Sequence, residues 1–238
     1  MNASATLAAV ALWFALVAQS SAAEQSTSAK IAALTARIAA SPADVSLYSH
    51  RGDENLFAGN FPAAVADFEK MIEIDPKLDV PHWRLGIAYY FAGSYEKASH
   101  QFAKYHTYEN RDRENGIWKF MSDAKARGVQ NARQTMLSYD QFDREPFPAL
   151  YDLFAGRTSK EKLLANVASS NSAADRTVEF FAHYYAGVYE QLLGQDDAAR
   201  THLQRAIAVY SAPGPSAGGA SYMWRVGRLH LDQLNLSK

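Results

Sequence analysis

Hydrophobic positions along the chain recur at helical spacing almost from end to end. In "KIAALTARIAASP", Ile31, Leu34 and Ile38 share one helical face before Pro42 closes the segment. The stretch from Val80 to Phe91 is apolar nearly all round, and such a helix must be covered on every side. "ENGIWKFMSDAKARGVQNARQTMLSYD" reads as two amphipathic helices around Gly128. "PALYDLFAGRTSKEKLLANVA" reads as a short helix ended by Gly156 and a second capped by Thr158. Between them, "REPFPA" has two prolines in three residues and predicts a loop. "SAPGPSAGGAS" is a Pro/Gly linker to a final helix, "YMWRVGRLHLDQL".

The helices carry a repeating register. Gly52 and Gly86 stand 34 residues apart, as do Gly59 and Gly93, Phe61 and Tyr95, Ala64 and Ala98, and Phe68 and Phe102. Gly52 and Gly86 are expected where two helices cross closely. Gly59 and Gly93 are expected to end the first helix of each pair in the left-handed conformation. The register returns late in the chain at Gly187, Gly194, Ala199, Leu203 and Ala206, and Gly227 falls in the crossing slot of the last helix. Arg51-Gly52-Asp53, a tripeptide that acts in adhesion when exposed at a loop tip, therefore lies inside a helix.

This period and residue pattern resemble the tetratricopeptide repeat. The implied fold is an all-α helix-turn-helix solenoid of about five repeats, two of them degenerate, plus capping helices. The divisions are a leader over residues 1–23, a polar lead-in and capping helix over 24–44, and repeats over 45–112. Degenerate repeats follow over 113–179, a further repeat over 180–213, and a linker with capping helix over 214–238. This is one continuous array; the alternative is two short arrays hinged near Pro146 and Pro148.

Composition removes several function classes. The chain has 238 residues, 24 basic and 25 acidic, for a net charge of −1, so no field draws nucleic acid or an anionic membrane. No cysteine is present, which excludes disulfides, thiolate catalysis and thiol-linked lipid. Residues 1–23 carry no charged side chain, and Leu7 to Ala18 is an apolar run too short to cross a bilayer comfortably. Ser21 and Ala23 are small residues that a signal peptidase accepts, so export and a mature start at Glu24 are expected.

The order of pieces, with the runs "WRLGIAYYFAG" and "YYAGVYEQLLG", resembles the NlpI-like tetratricopeptide lipoproteins of bacterial envelopes. The resemblance implies a non-catalytic periplasmic adaptor that brings substrates to an envelope protease and gathers peptidoglycan enzymes. The lipid anchor does not carry over, because no cysteine follows the leader. In repeats of this type the first helix of each pair lines the concave groove. Groove positions are then Ser49, Asp53 and Leu56, next Trp83, Ile87 and Tyr90, and later Tyr184, Val188 and Gln191. Trp83, Ile87, Tyr90, Tyr184 and Val188 are the candidate partner-binding residues, open either to the chain's own C-terminal helix, to a peptide or protein partner, or to a second copy in a homodimer.

Catalytic motifs are thin. The chain has no H-E-x-x-H, G-x-S-x-G or P-loop, and His100 and His106 fall on different helix faces, so no metal or cofactor is expected. An enzyme would have to assemble its site in the degenerate middle, around Glu114, Asp123, His106 or Tyr139. A cleft with converging ionisable groups there would favour it; solvated side chains would favour the adaptor.

Overall fold

A computed structural model describes residues 25–170, 175–210 and 219–236. The expected leader and most of the Pro/Gly linker lie outside the described residues. The described residues are helical with no strand, and helices adjacent in sequence pack as pairs. None of these helices is long and apolar enough to cross a membrane. The chain forms two compact units, one ending at Pro76 and one beginning at Lys77; Pro146 and Pro148 lie within the second.

The first unit holds α1 (residues 25–40), α2 (Val45–Phe57) and α3 (Phe61–Ile74). Asp44 caps α2 by accepting from the Ser46 N–H, and the Tyr48 hydroxyl donates to the Pro42 carbonyl at 3.0 Å. Gly52 is why α2 and α3 can meet: a Cβ there would stand 2.5 Å from the Phe68 ring. Leu56, Ala64 and Phe68 fill the contact with no exposed surface. The tripeptide is indeed helical, and its Arg51 is committed to a half-buried ion pair. Its Nη2 donates to Asp67 Oδ1 at 2.6 Å, and Nε bridges both Asp67 oxygens.

In the second unit, α4 (Trp83–Phe91) pairs with α5 (Tyr95–Tyr108). The helix starts at Trp83 rather than Val80, because Pro81 precedes it and the His82 side chain caps it by accepting from the Leu85 N–H at 3.2 Å. Gly86 repeats the Gly52 geometry, its missing Cβ standing 2.6 Å from Phe102. Every residue from Leu85 to Tyr90 is buried, which is what an all-round apolar helix requires.

The degenerate middle comprises α6 (Arg113–Arg127), α7 (Val129–Gln134), α8 (Phe147–Phe154) and α9 (Lys160–Ser169). Three details differ from the expectation. Helix α7 stops after six residues, where a full repeat would carry a longer partner. Pro148 lies in the first turn of α8, where a missing N–H costs nothing, so only Arg144 to Pro146 of the "REPFPA" run precedes the helix. The cap of α9 is Ser159, not Thr158: its hydroxyl accepts from the Lys162 N–H at 3.2 Å.

Helices α10 (Arg176–Leu192) and α11 (Asp196–Ala208) form the late pair, and α12 (Gly219–Leu236) packs on both. Gly187 lies against Leu203 and the Ala199 carbonyl, with contacts of 2.9 and 3.0 Å for an added Cβ. Gly227 departs from this set. Its nearest neighbour, Tyr184, would be 3.4 Å away, which is ordinary contact, so it is not a tight crossing.

Candidate functional site

Within the second unit, α4, α5, α6, α10 and α12, with Arg144 from the segment before α8, line a half-open cavity of 290 Å³. Its apolar wall is made by Trp83 and Ile87 of α4, Phe102 of α5, Trp118 of α6, Phe181 of α10 and Met223 of α12. The lining also includes the polar side chains of Asp112, Glu114, Asn115, Arg144 and Thr177.

Local sequence logic puts the acids there. After α5, the "ENRD" turn closes as Glu109 accepts from the Arg111 N–H at 3.0 Å. Asp112 then caps α6, accepting from the Glu114 N–H at 3.0 Å and from the Asn115 amide at 2.5 Å. Glu114 is thereby placed in the first turn of α6. Its Oε1 accepts from the Tyr185 hydroxyl at 2.6 Å, and its Oε2 accepts from Arg144 Nη2 at 2.5 Å. Arg144 Nη1 reaches Asp143 at 3.2 Å and Asp112 at 3.5 Å, and the guanidinium lies 4.2 Å from the Phe147 ring centre. Asp143 also accepts the Arg113 backbone N–H at 2.8 Å. Asp112, Glu114 and Asp143 thus share a single guanidinium.

The electrostatics follow. Burial is the main influence on Glu114, followed by the negative Asp112. Together they outweigh Arg144 and the Tyr185 hydrogen bond and push the carboxyl up to about 7. Asp112 is raised for the same first reason, burial, against the pull of Arg144. Burial works against the Arg144 charge, but its carboxylate neighbours win and hold it above its ordinary value. Burial also pushes the Tyr105 hydroxyl, at the cavity wall, up to about 12.

The predicted groove residues divide between wall and core. Trp83 and Ile87 line the cavity; Trp83 is half-buried and meets the Tyr222 ring edge-on at 4.9 Å. Tyr90 is turned into an aromatic cluster with Trp118 at 5.4 Å and His230 at 5.7 Å. Tyr184 and Val188 are fully buried, and the Tyr184 hydroxyl is hydrogen-bonded to His230 Nδ1 at 2.9 Å. Helix α12 supplies Tyr222, Met223 and His230 to these contacts, so the C-terminal helix covers this stripe. Gln191 remains half-buried on α10. In the first unit Leu56 is core, while Ser49 and Asp53 are half-buried.

Of the candidate acid–base residues, Glu114 alone reaches the cavity. Asp123 is tied to Lys119 at 2.6 Å, Ser99 at 2.7 Å and Thr135 at 3.0 Å. His106 packs edge-on against Tyr139, their ring centres 4.8 Å apart. Among the described residues no group of three His, Asp or Glu side chains could hold a metal ion.

Asp112, Arg144, Trp118 and Phe181 are among the site residues that pattern reading missed. A capping position could have flagged Asp112. Arg144 has a local partner in its neighbour Asp143, but Glu114 and Asp112, which bring Arg144 to the cavity, lie about thirty residues away on another element. Searched against protein-family models, the chain matches none.

Proposed function

We propose that the chain is a non-catalytic, tetratricopeptide-type adaptor of the bacterial cell envelope, exported and unlipidated, with about five repeats including two degenerate ones. In this reading a segment of a protein partner, an envelope protease or peptidoglycan enzyme by resemblance, enters the cavity beside α4. The observation that carries it is the half-open cavity itself, where the apolar side chains of Trp83, Ile87 and Trp118 share one lining with a small set of polar groups. The order of helix pairs and the three glycine crossings at Gly52, Gly86 and Gly187 support the repeat type.

A hydrolase is the second reading, favoured by Glu114, whose carboxyl near 7 is suited to acid–base work. Weighing against it, both Glu114 oxygens are already hydrogen-bonded, and the Thr177 hydroxyl at the cavity is paired with Tyr210 at 3.1 Å. Among the described residues lining the cavity, the Thr177 hydroxyl has no hydrogen bond to Glu114.

Affinity capture from an envelope extract, using residues 24–238, tests the adaptor reading. The expected result is a defined partner captured by the wild type and lost with Trp83→Ala, whose circular dichroism is unchanged. Equal capture by both proteins would remove the cavity from the function. Hydrolytic turnover of peptide or glycan abolished by Glu114→Gln would decide for the enzyme.

A further inference from the structure

We infer that the cavity recognises a lysine side chain of the bound segment, its alkyl stem lying along the aromatic side chains and its ammonium at Glu114 and Asp112. This rests on the adaptor reading above and gives it a ligand chemistry.

The first argument is charge. Asp112, Glu114 and Asp143 gather around the single guanidinium of Arg144, so this cluster carries surplus negative charge. The neighbouring ions reduce it without cancelling it. Arg113 is held by the neutral Gln141 and Tyr139 carbonyls and keeps its charge, so with Arg144 two guanidinium groups stand beside three carboxyls. Arg111 pairs with Glu109, and Lys119 pairs with Asp123. Tyr185, packed against Glu114 from α10, contributes a neutral hydroxyl. An anionic ligand would have to break Arg144 away from the acids that hold it. A cation instead completes the set.

The second argument is shape. At 290 Å³ the cavity is at the small end of ligand pockets, of a size for one long side chain rather than a nucleotide or a glycan. Its lining combines the aromatic and aliphatic side chains of Trp83, Ile87, Trp118 and Phe181 with the carboxyls of Asp112 and Glu114. Lysine has the matching profile: an apolar stem with a compact charged head that aromatic rings and carboxylates both attract.

A pH dependence follows from the same geometry. An ammonium beside Glu114 favours its ionised form, so binding is coupled to loss of the proton that Glu114 holds below about 7. Lysine itself stays charged throughout this range. Affinity should therefore rise from pH 6 to pH 8.

The test titrates the wild-type chain with three capped amino acids: Nα-acetyl-lysine methylamide, the norleucine analogue and the glutamate analogue. The fluorescence of Trp83 and Trp118 is the reporter. Saturable binding of the lysine compound is expected, with a dissociation constant on the order of 1 mM or tighter. The isosteric norleucine compound should bind at least about tenfold more weakly, a difference that a lost charge–charge contact readily makes. Glu114→Gln should weaken lysine binding and flatten its pH profile. Norleucine or glutamate binding as tightly as lysine, or lysine affinity that falls as pH rises, would overturn the inference. Capture of an envelope partner through Trp83 without any binding of capped lysine would also sink it, leaving the adaptor reading intact.

Discussion

The Tyr184 hydroxyl and His230 Nδ1 lie 2.9 Å apart in the interior, joining α10 to α12 by a polar contact inside an aromatic cluster. Burial holds the imidazole neutral, its pKa lowered to about 3. Removing one partner strands the other in a place that water does not reach. Tyr184→Phe or His230→Leu should each cost about 1–3 kcal/mol in urea unfolding, and the double variant less than the two combined. Strict additivity would show that the pair is not energetically coupled.

The glycine crossings make a controlled comparison. Gly86→Leu forces atoms into the Phe102 ring, already 2.6 Å from the first carbon, and should cost roughly 1–3 kcal/mol through overpacking. Gly227→Ala meets only ordinary contact and relieves a helical glycine, so its thermal midpoint should hold or rise. An unchanged midpoint for Gly86→Leu would mean that α4 and α5 do not cross as described.

Trp83 and Tyr90 lie about two turns apart on α4, yet their substitutions should differ. Tyr90 is only 5% exposed and touches four other aromatic side chains, so Tyr90→Ala should lose roughly 3–5 kcal/mol. Trp83 is half-buried at the cavity wall, and Trp83→Ala should cost less, about 1–2 kcal/mol. Chemical denaturation of the two single variants checks the order. Partner binding is best read on Trp83→Ala, because loss of binding in Tyr90→Ala would follow from unfolding.

Glu114 gives stability a pH dependence of defined sign. Its carboxyl rises from 4.5 to about 7 on folding, so between these values the folded chain holds more protons than the unfolded one. This contribution to stability is present at pH 4.5 and is lost as pH rises toward 7. Glu114→Gln should flatten that slope, the difference between pH 5 and pH 8 being on the order of 2 kcal/mol. A slope identical in both proteins would place the titration elsewhere.

Export is checked on the native protein. Mass spectrometry should find an N-terminus at Glu24; a chain retaining residues 1–23 would contradict cleavage.

Much of the local structure was legible in the residues alone. A glycine that ends a helix is dictated by its own backbone, and Gly59, Gly93, Gly128, Gly156 and Gly194 all take positive φ. A crossing glycine is dictated by one partner at a constant offset, which is why Gly52, Gly86 and Gly187 could be read from the register. Even the cap of α9 was missed by only one residue, because Thr158 and Ser159 are chemically near-equivalent as caps.

The rest depended on elements that the repeat does not relate. Glu114 is an unremarkable charged residue in its own helix, and Arg144 precedes another; only their approach around Tyr185 makes a site. The groove stripe was legible as apolar, but periodicity assigns a side chain to a helix face without saying what will cover that face. Helix α12 covers it, and its Gly227 left the crossing slot because that helix packs beside Tyr184 and Phe180 rather than onto a following partner. Helix periodicity and caps are encoded within a few turns of chain. The convergence of charges on the cavity is set by how separate helices pack, and that only the tertiary structure decided.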